Sequence, residues 1–202
     1  MTRQLRIAMI GIDGSGKTTL AHALADQLTA AGRPAAYLQA PSGRPTLNRL
    51  AVRLGRRDAI DLFGRFVYLA IESTIRFAVI SYALIKSALT GRIAVLDRYV
   101  YCQFAVVRAR RQSGERFIRA LFGLFPKPDL VFFLAVSPEI AQRRVALRGT
   151  DSEELEYLMA SDQAYRSLPE WPDFVVIDAD AGPDEVLAEV VNLVQDAYRP
   201  LA

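Results

Sequence analysis

Residues 11–18 read Gly-Ile-Asp-Gly-Ser-Gly-Lys-Thr. They satisfy the pattern G-x-x-x-x-G-K-[ST], with Gly11, Gly16, Lys17 and Thr18 in the fixed places. The apolar run Leu5–Ile10 precedes the loop, and Leu20, Leu24 and Leu28 recur four apart after it. A strand that turns through glycines into a helix presents successive backbone N–H groups to phosphate oxygens at a helix N-terminus. Gly11, Gly14, Ser15, Gly16, Lys17, Thr18 and Thr19 are therefore the expected phosphate cradle. In such loops the lysine is a point charge for the β- and γ-phosphates, and the threonine offers a hydroxyl to Mg²⁺. ATP and Mg²⁺ are the cofactors this stretch implies.

Outward from the loop, apolar runs recur at 5–10, 35–40, 93–97, 130–135 and 174–178. They lack polar alternation, as strands buried on both faces do. Helical patterns lie between them. The first ends near Gly32, another near Gly91, and the last carries Val186, Leu187, Val190, Val191 and Val194 on one face. This alternation predicts an α/β parallel sheet with helices on both faces, in one domain spanning 1–202. Ligands of such sheets sit beyond the carboxyl ends of the strands. The phosphate loop, Ala40-Pro41 and Asp97-Arg98 all fall there, and 41–57 reads as a loop on that face.

The 202 residues carry 25 Lys plus Arg against 22 Asp plus Glu. That balance does not announce a nucleic-acid partner. Cys102, the single cysteine, suits a reducing, cytoplasmic setting. The N-terminus runs almost at once into a strand, so no signal peptide is expected. The apolar stretch 62–96 is broken by Arg65, Glu72, Arg76 and Lys86, whereas a bilayer span needs ~20 apolar residues. It reads as a buried helix with no membrane role.

Asp97-Arg98-Tyr99 closes the third strand. A carboxylate there suits Mg²⁺ or the acceptor, and a guanidinium grips phosphate through paired hydrogen bonds. Arg143, Arg144 and Arg148 precede Gly149 and Thr150, and 144 and 148 share a helical face. A lid at about 143–156 would spread transition-state charge over these arginines. Glu72 and Arg76, one helical turn apart, fit either an i,i+4 ion pair on a helix face or the acceptor pocket. His22 and Cys102 read as structural, and Trp171 as a loop anchor.

These stretches resemble the thymidylate kinases among the nucleoside monophosphate kinases. The likeness rests on GIDGSGKTTL with its acid at Asp13, on DRYVY at 97–101, and on Arg76 placed 21 residues before Asp97. It also rests on Pro41, on PKPDLVFFLAVSPE and on the arginine-rich lid. The resemblance implies a three-layer P-loop kinase fold with strand order 2-3-1-4-5. It implies transfer of the ATP γ-phosphoryl group to a nucleoside monophosphate, with dTMP the first candidate, and a homodimer built on long helices. Lys17, Asp13, Asp97, Arg98, Arg144 and Arg148 would be catalytic, and Thr18 and Asp97 would serve the metal. Asp13, Pro41, Arg44, Glu72, Arg76, Arg98, Tyr99 and Gln103 would meet the small-molecule acceptor. With Gly14 and Ser15 the loop lacks the additional catalytic arginine or lysine whose place varies among family members, so the lid would supply it.

The acceptor half departs from the family pattern. Ala40 stands where an acid is usual, Glu72 where an aromatic ring stacks on thymine, and Cys102, Gln103 and Val106 follow D-R-Y. A kinase acting on a nucleoside or a non-nucleotide molecule is the second reading, and a nucleotide-binding switch the third. The chain has no N-K-x-D guanine motif.

Overall fold

The computed structural model describes residues 4–39, 44–148 and 154–198. Its centre is a five-stranded sheet of order β2-β3-β1-β4-β5. The strands are β1 (Arg6–Ile10), β2 (Ala35–Gln39), β3 (Ile93–Asp97), β4 (Leu130–Ala135) and β5 (Val175–Asp178). All four pairings are parallel, with Met9 beside Asp97 and Ile10 beside Phe133. Beyond Arg6 at its start, β1 and β3 bury every side chain, and Asp97 at the end of β3 is the polar one among them. The chain leaves β1 and β3 side by side. The phosphate loop and Asp97-Arg98 therefore share one crevice at the carboxyl end of the sheet.

Helices cover both faces. α1 (Lys17–Ala30) buries Leu20, Leu24 and Leu28 and stops at Ala31-Gly32, where the Arg33 N–H closes the last turn on the Leu28 carbonyl. It packs beside α8 (Pro183–Tyr198), which buries Val186, Val190, Val191 and Val194. Right-handed crossovers send the remaining helices to the other face. These are α2 (Arg44–Arg53), α3 (Ala59–Thr90), α4 (Val100–Ala109), α5 (Glu115–Phe122), α6 (Pro138–Arg148) and α7 (Leu155–Arg166).

The 32-residue α3 is capped by the Asp58 carboxylate, which accepts from the Asp61 N–H, and it ends at Gly91. It is two helices in series, because Gly64 (φ 74°, ψ 159°) leaves the helical region. By length and composition alone α3 could cross a membrane. One face nevertheless packs on β2 and β3 and buries Glu72 and Arg76. A 3-10 turn at Trp171–Asp173 seats the Trp171 ring against Phe133 and Phe174, which is the anchoring expected of it.

Candidate active site

The phosphate loop curls through Gly11, Gly14 and Gly16, all at positive φ, and delivers the chain to α1 with no side-chain cap at Gly16. The first amides of α1 are thus left for an anion. Lys17 is buried, and its Nζ donates to the Ile12 carbonyl (2.5 Å) and to Ser15 Oγ (3.2 Å). Burial, reinforced by the charge of Arg98, lowers its pKa to about 8. A lysine held on its own backbone carbonyl can turn to a phosphate once one arrives.

A cavity of about 570 Å³ opens beside the loop. Gly14, Ser15, Gly16 and Thr19 line its polar end, and Leu20, Leu134 and Leu187 its apolar wall. That combination fits a base joined to a polyphosphate. Arg144 and Arg148 border the same cavity from the end of α6. Arg144 donates through Nη1 to the Ala179 carbonyl (3.1 Å), whereas Arg148 is exposed. Residues 149–153 of the expected lid lie outside the described residues.

Asp97 is buried, and two hydroxyls converge on one of its oxygens. Thr18 Oγ1 donates to Oδ2 at 2.7 Å and Tyr37 Oη at 3.0 Å. The other oxygen, Oδ1, is buried with no hydrogen-bond partner among the described residues. A buried carboxylate oxygen without a donor is costly unless a cation or its water shell faces it. Together with the Thr18 hydroxyl it forms the oxygen donor set that Mg²⁺ prefers, with remaining positions for waters and phosphates. The site therefore fits the metal. Tyr37 escaped the sequence reading. Its signal was a phenol in an apolar strand, two residues before the strand end. The ring stacks on His22 (3.5 Å between centroids), and burial, followed by the Asp97 charge, raises its pKa.

The other half of the crevice is built on α3 and α4. Arg98 adopts φ 76° and its Nη2 donates to the Asp13 carboxylate. Burial opposes its charge, but Asp13, Cys102 and Tyr165 together raise its pKa, so it stays a cation. Glu72 and Arg76 are both buried, with Oε1 and Nη2 3.6 Å apart. The i,i+4 ion pair on the helix face is therefore present, and it is buried. Gln103 is fully buried, and its Nε2 donates to Ser73 Oγ (3.3 Å).

Tyr99 corrects the sequence expectation. It is buried, and its hydroxyl donates to the Pro126 carbonyl (2.6 Å) ahead of β4, away from the carboxyl ends of the strands. A buried phenol needs a fixed partner, and this one finds it in the core, not on an acceptor. Pro41 lies outside the described residues, and Arg44 opens α2 (Arg44–Arg53), so most of the expected loop 41–57 is helical.

With this geometry, comparison with known proteins is informative. The sequence model of the thymidylate kinase family matches residues 10–190. A thymidylate kinase of Leptospira borgpetersenii is 31% identical, covering 91% of this chain and 89% of its own length. The probable thymidylate kinase 1 of Saccharolobus solfataricus is 31% identical, over 95% and 97%. The probable thymidylate kinase of Archaeoglobus fulgidus is 32% identical, over 94% of each chain. A phosphate loop opening α1, an aspartate-arginine pair closing β3 and similarity over most of the chain agree on one conclusion: the protein belongs to the thymidylate kinase family and is a nucleoside monophosphate kinase, a phosphotransferase.

Proposed function

We propose that the protein transfers the γ-phosphoryl group of ATP, with Mg²⁺, to a nucleoside monophosphate, dTMP being the first candidate acceptor. The observation that supports this most is the meeting of Lys17, Thr18, Asp97, Arg98 and Asp13 in one crevice. Lys17 exchanges the Ile12 carbonyl for the transferring phosphate. Asp97 would hold Mg²⁺ or its waters through Oδ1, while Thr18 and Tyr37 fix its other oxygen. Arg98, steadied by Asp13, grips the acceptor phosphate and holds it in line. Bound Mg²⁺ would neutralise charge on the phosphate oxygens. No covalent intermediate is needed, because positioning and charge stabilisation carry this chemistry. ADP release with Mg-ATP against a panel of nucleoside monophosphates, nucleosides and sugars tests the reading. Steady turnover only when a monophosphate is present supports it, and equal ATP loss without any acceptor refutes it.

The exposed Arg148 and the tethered Arg144 would belong to a lid over the donor, within a single domain of 1–202. Arg148→Ala should lower kcat on the order of 10²-fold with acceptor KM nearly unchanged. If only KM rises, Arg148 belongs to acceptor binding instead.

Tyr82, Ile85 and Leu89 are 66%, 59% and 83% exposed along one stripe of α3. This supports a homodimer formed through that stripe. Light scattering should give twice the chain mass, falling to the chain mass in the Ile85→Glu, Leu89→Glu double variant. A cytoplasmic location accords with the lone, buried Cys102.

A second reading, an acceptor other than dTMP, is favoured by the buried Glu72. A carboxylate cannot offer a base the flat apolar surface of an aromatic ring.

A further inference from the structure

Thr18 and His22 stand one turn apart on α1, which packs against β2 and β3. Each reaches a different strand. Thr18 Oγ1 donates to Asp97 Oδ2 at the end of β3 (2.7 Å), and the His22 ring stacks on Tyr37 of β2 with the two planes 22° apart. Tyr37 joins the two. In the parallel pairing of β2 with β3 it stands beside Val95, one pleat before the Gln39–Asp97 pair. Tyr37 and Asp97 therefore present their side chains on one face of the sheet. The Tyr37 hydroxyl donates to the same Asp97 Oδ2 (3.0 Å). Helix α1, strand β2 and strand β3 thus meet in one closed set of side-chain contacts: His22 on Tyr37, Tyr37 on Asp97, Asp97 on Thr18.

The contacts have a chemical consequence. A carboxylate only accepts hydrogen bonds, and its terminal torsion is soft, so one donor leaves it free to swing. Donors from two different elements converge here on a single oxygen. The other, Oδ1, is buried without a hydrogen-bond partner among the described residues and is left to a cation or its waters. Thr18 gives its one proton to Asp97, which leaves the hydroxyl lone pairs for the same cation. The His22 ring lies flat against the phenol and keeps it from swinging to another rotamer. Neither Tyr37 nor His22 lines the donor cavity or the smaller one, of about 340 Å³, bounded by Tyr68 and Arg110. Whatever they do for the reaction passes through Asp97.

We infer that Tyr37 is a positioning residue for the metal-facing carboxylate of Asp97, and that His22, which reads as structural in the sequence, holds Tyr37 in place. The inference rests on the nucleoside monophosphate kinase reading. Partners of this kind set the direction of a ligating carboxylate, and losing one costs on the order of ten- to a hundred-fold in metal affinity.

The test is Mn²⁺ binding to the protein–ADP complex, followed by electron paramagnetic resonance against ADP alone, for the wild type, Tyr37→Phe, His22→Ala and the double variant. Tyr37→Phe keeps the ring and its stack and removes one donor, and Mn²⁺ should bind about ten-fold more weakly. His22→Ala leaves the hydroxyl and removes an exposed ring, and it should weaken binding about three-fold. The double variant should lose no more than Tyr37→Phe, because a phenylalanine held in place still offers Asp97 no donor. In steady-state transfer the Mg²⁺ needed for half-activation should rise by the same factors, and kcat at saturating Mg²⁺ should stay within about two-fold of the wild type. Wild-type Mn²⁺ affinity in Tyr37→Phe, losses that add in the double variant, or a kcat deficit that Mg²⁺ does not repair overturns the inference and leaves the kinase reading standing. A wild type that holds no more Mn²⁺ than ADP alone overturns both.

Discussion

Lys17→Ala is expected to abolish phosphoryl transfer, lowering kcat/KM by on the order of 10³-fold or more. The side chain is the only cation seated inside the loop, and it already lies on the Ile12 carbonyl at 2.5 Å, a position from which little movement reaches a phosphate. Neutral alanine leaves the loop amides intact, so ATP should still bind, more weakly. Wild-type turnover in this variant would refute the central assignment. The same lysine sets a pH dependence. Its pKa in the folded protein, about 8, lies below the ordinary lysine value of 10.5 because burial disfavours the ammonium. The kcat/KM for ATP should therefore fall above about pH 8. The limb in kcat should lie higher, since bound phosphates favour the charged form. Stability moves the other way. Between about 8 and 10.5 the unfolded chain holds the proton more tightly than the folded one, so this group's contribution to stability improves as pH rises. Denaturant melts of the wild type and Lys17→Ala across that interval should show the difference shifting in favour of the wild type.

Gly14→Ala should be nearly as damaging, for a reason of shape. Gly14 sits at φ 87°, and a Cβ there would lie 2.3 Å from the Ala141 carbonyl oxygen and 2.9 Å from that residue's carbonyl carbon and Cα. These are backbone atoms of α6 and cannot rotate away. Either the loop or the helix must shift, on top of ~1–2 kcal/mol for the left-handed backbone. A destabilisation of about 3 kcal/mol, or ~6–12 °C in Tm, is expected by thermal melting. ATP-dependent turnover should drop by more than about 10²-fold, because a small misplacement of the cradle disturbs every phosphate contact. A variant with unchanged Tm and turnover would mean that the contact between loop and α6 has no functional weight.

Much of the sheet was legible because strands buried on both faces leave a plain mark. The runs at 93–97 and 130–135 coincide with β3 and β4, and the others differ from β1, β2 and β5 by one residue at an end. Strand order was not in those runs. It came with the resemblance to a known family. The donor half of the site was legible because glycine spacing and one lysine encode backbone geometry directly. The acceptor half was less so, because a side chain's direction depends on packing between helices distant in sequence. Tyr99 shows the difficulty: next to Arg98 in sequence, it points to Pro126 instead of the crevice. Glu72 and Arg76 have the spacing of an ordinary i,i+4 pair, and spacing alone does not show that the pair is buried. Tyr37 carried no motif, and its place beside Asp97 arises from a contact between neighbouring strands.

The break at Gly64 gives the pocket an unusual kind of determinant. Its dihedrals, φ 74° and ψ 159°, belong to a region that side chains with a Cβ essentially do not enter. Upstream of it, Asp58 and Ile60 form part of the cavity wall that faces Tyr68 and Arg110. Were α3 one continuous rod, those residues would be carried off along the helix axis and the wall would open. The shape of this cavity is thus written in a backbone torsion, at a residue with no side chain of its own. Two relatives could line this cavity with identical side chains and still differ in its depth, according to whether a glycine stands at this one joint.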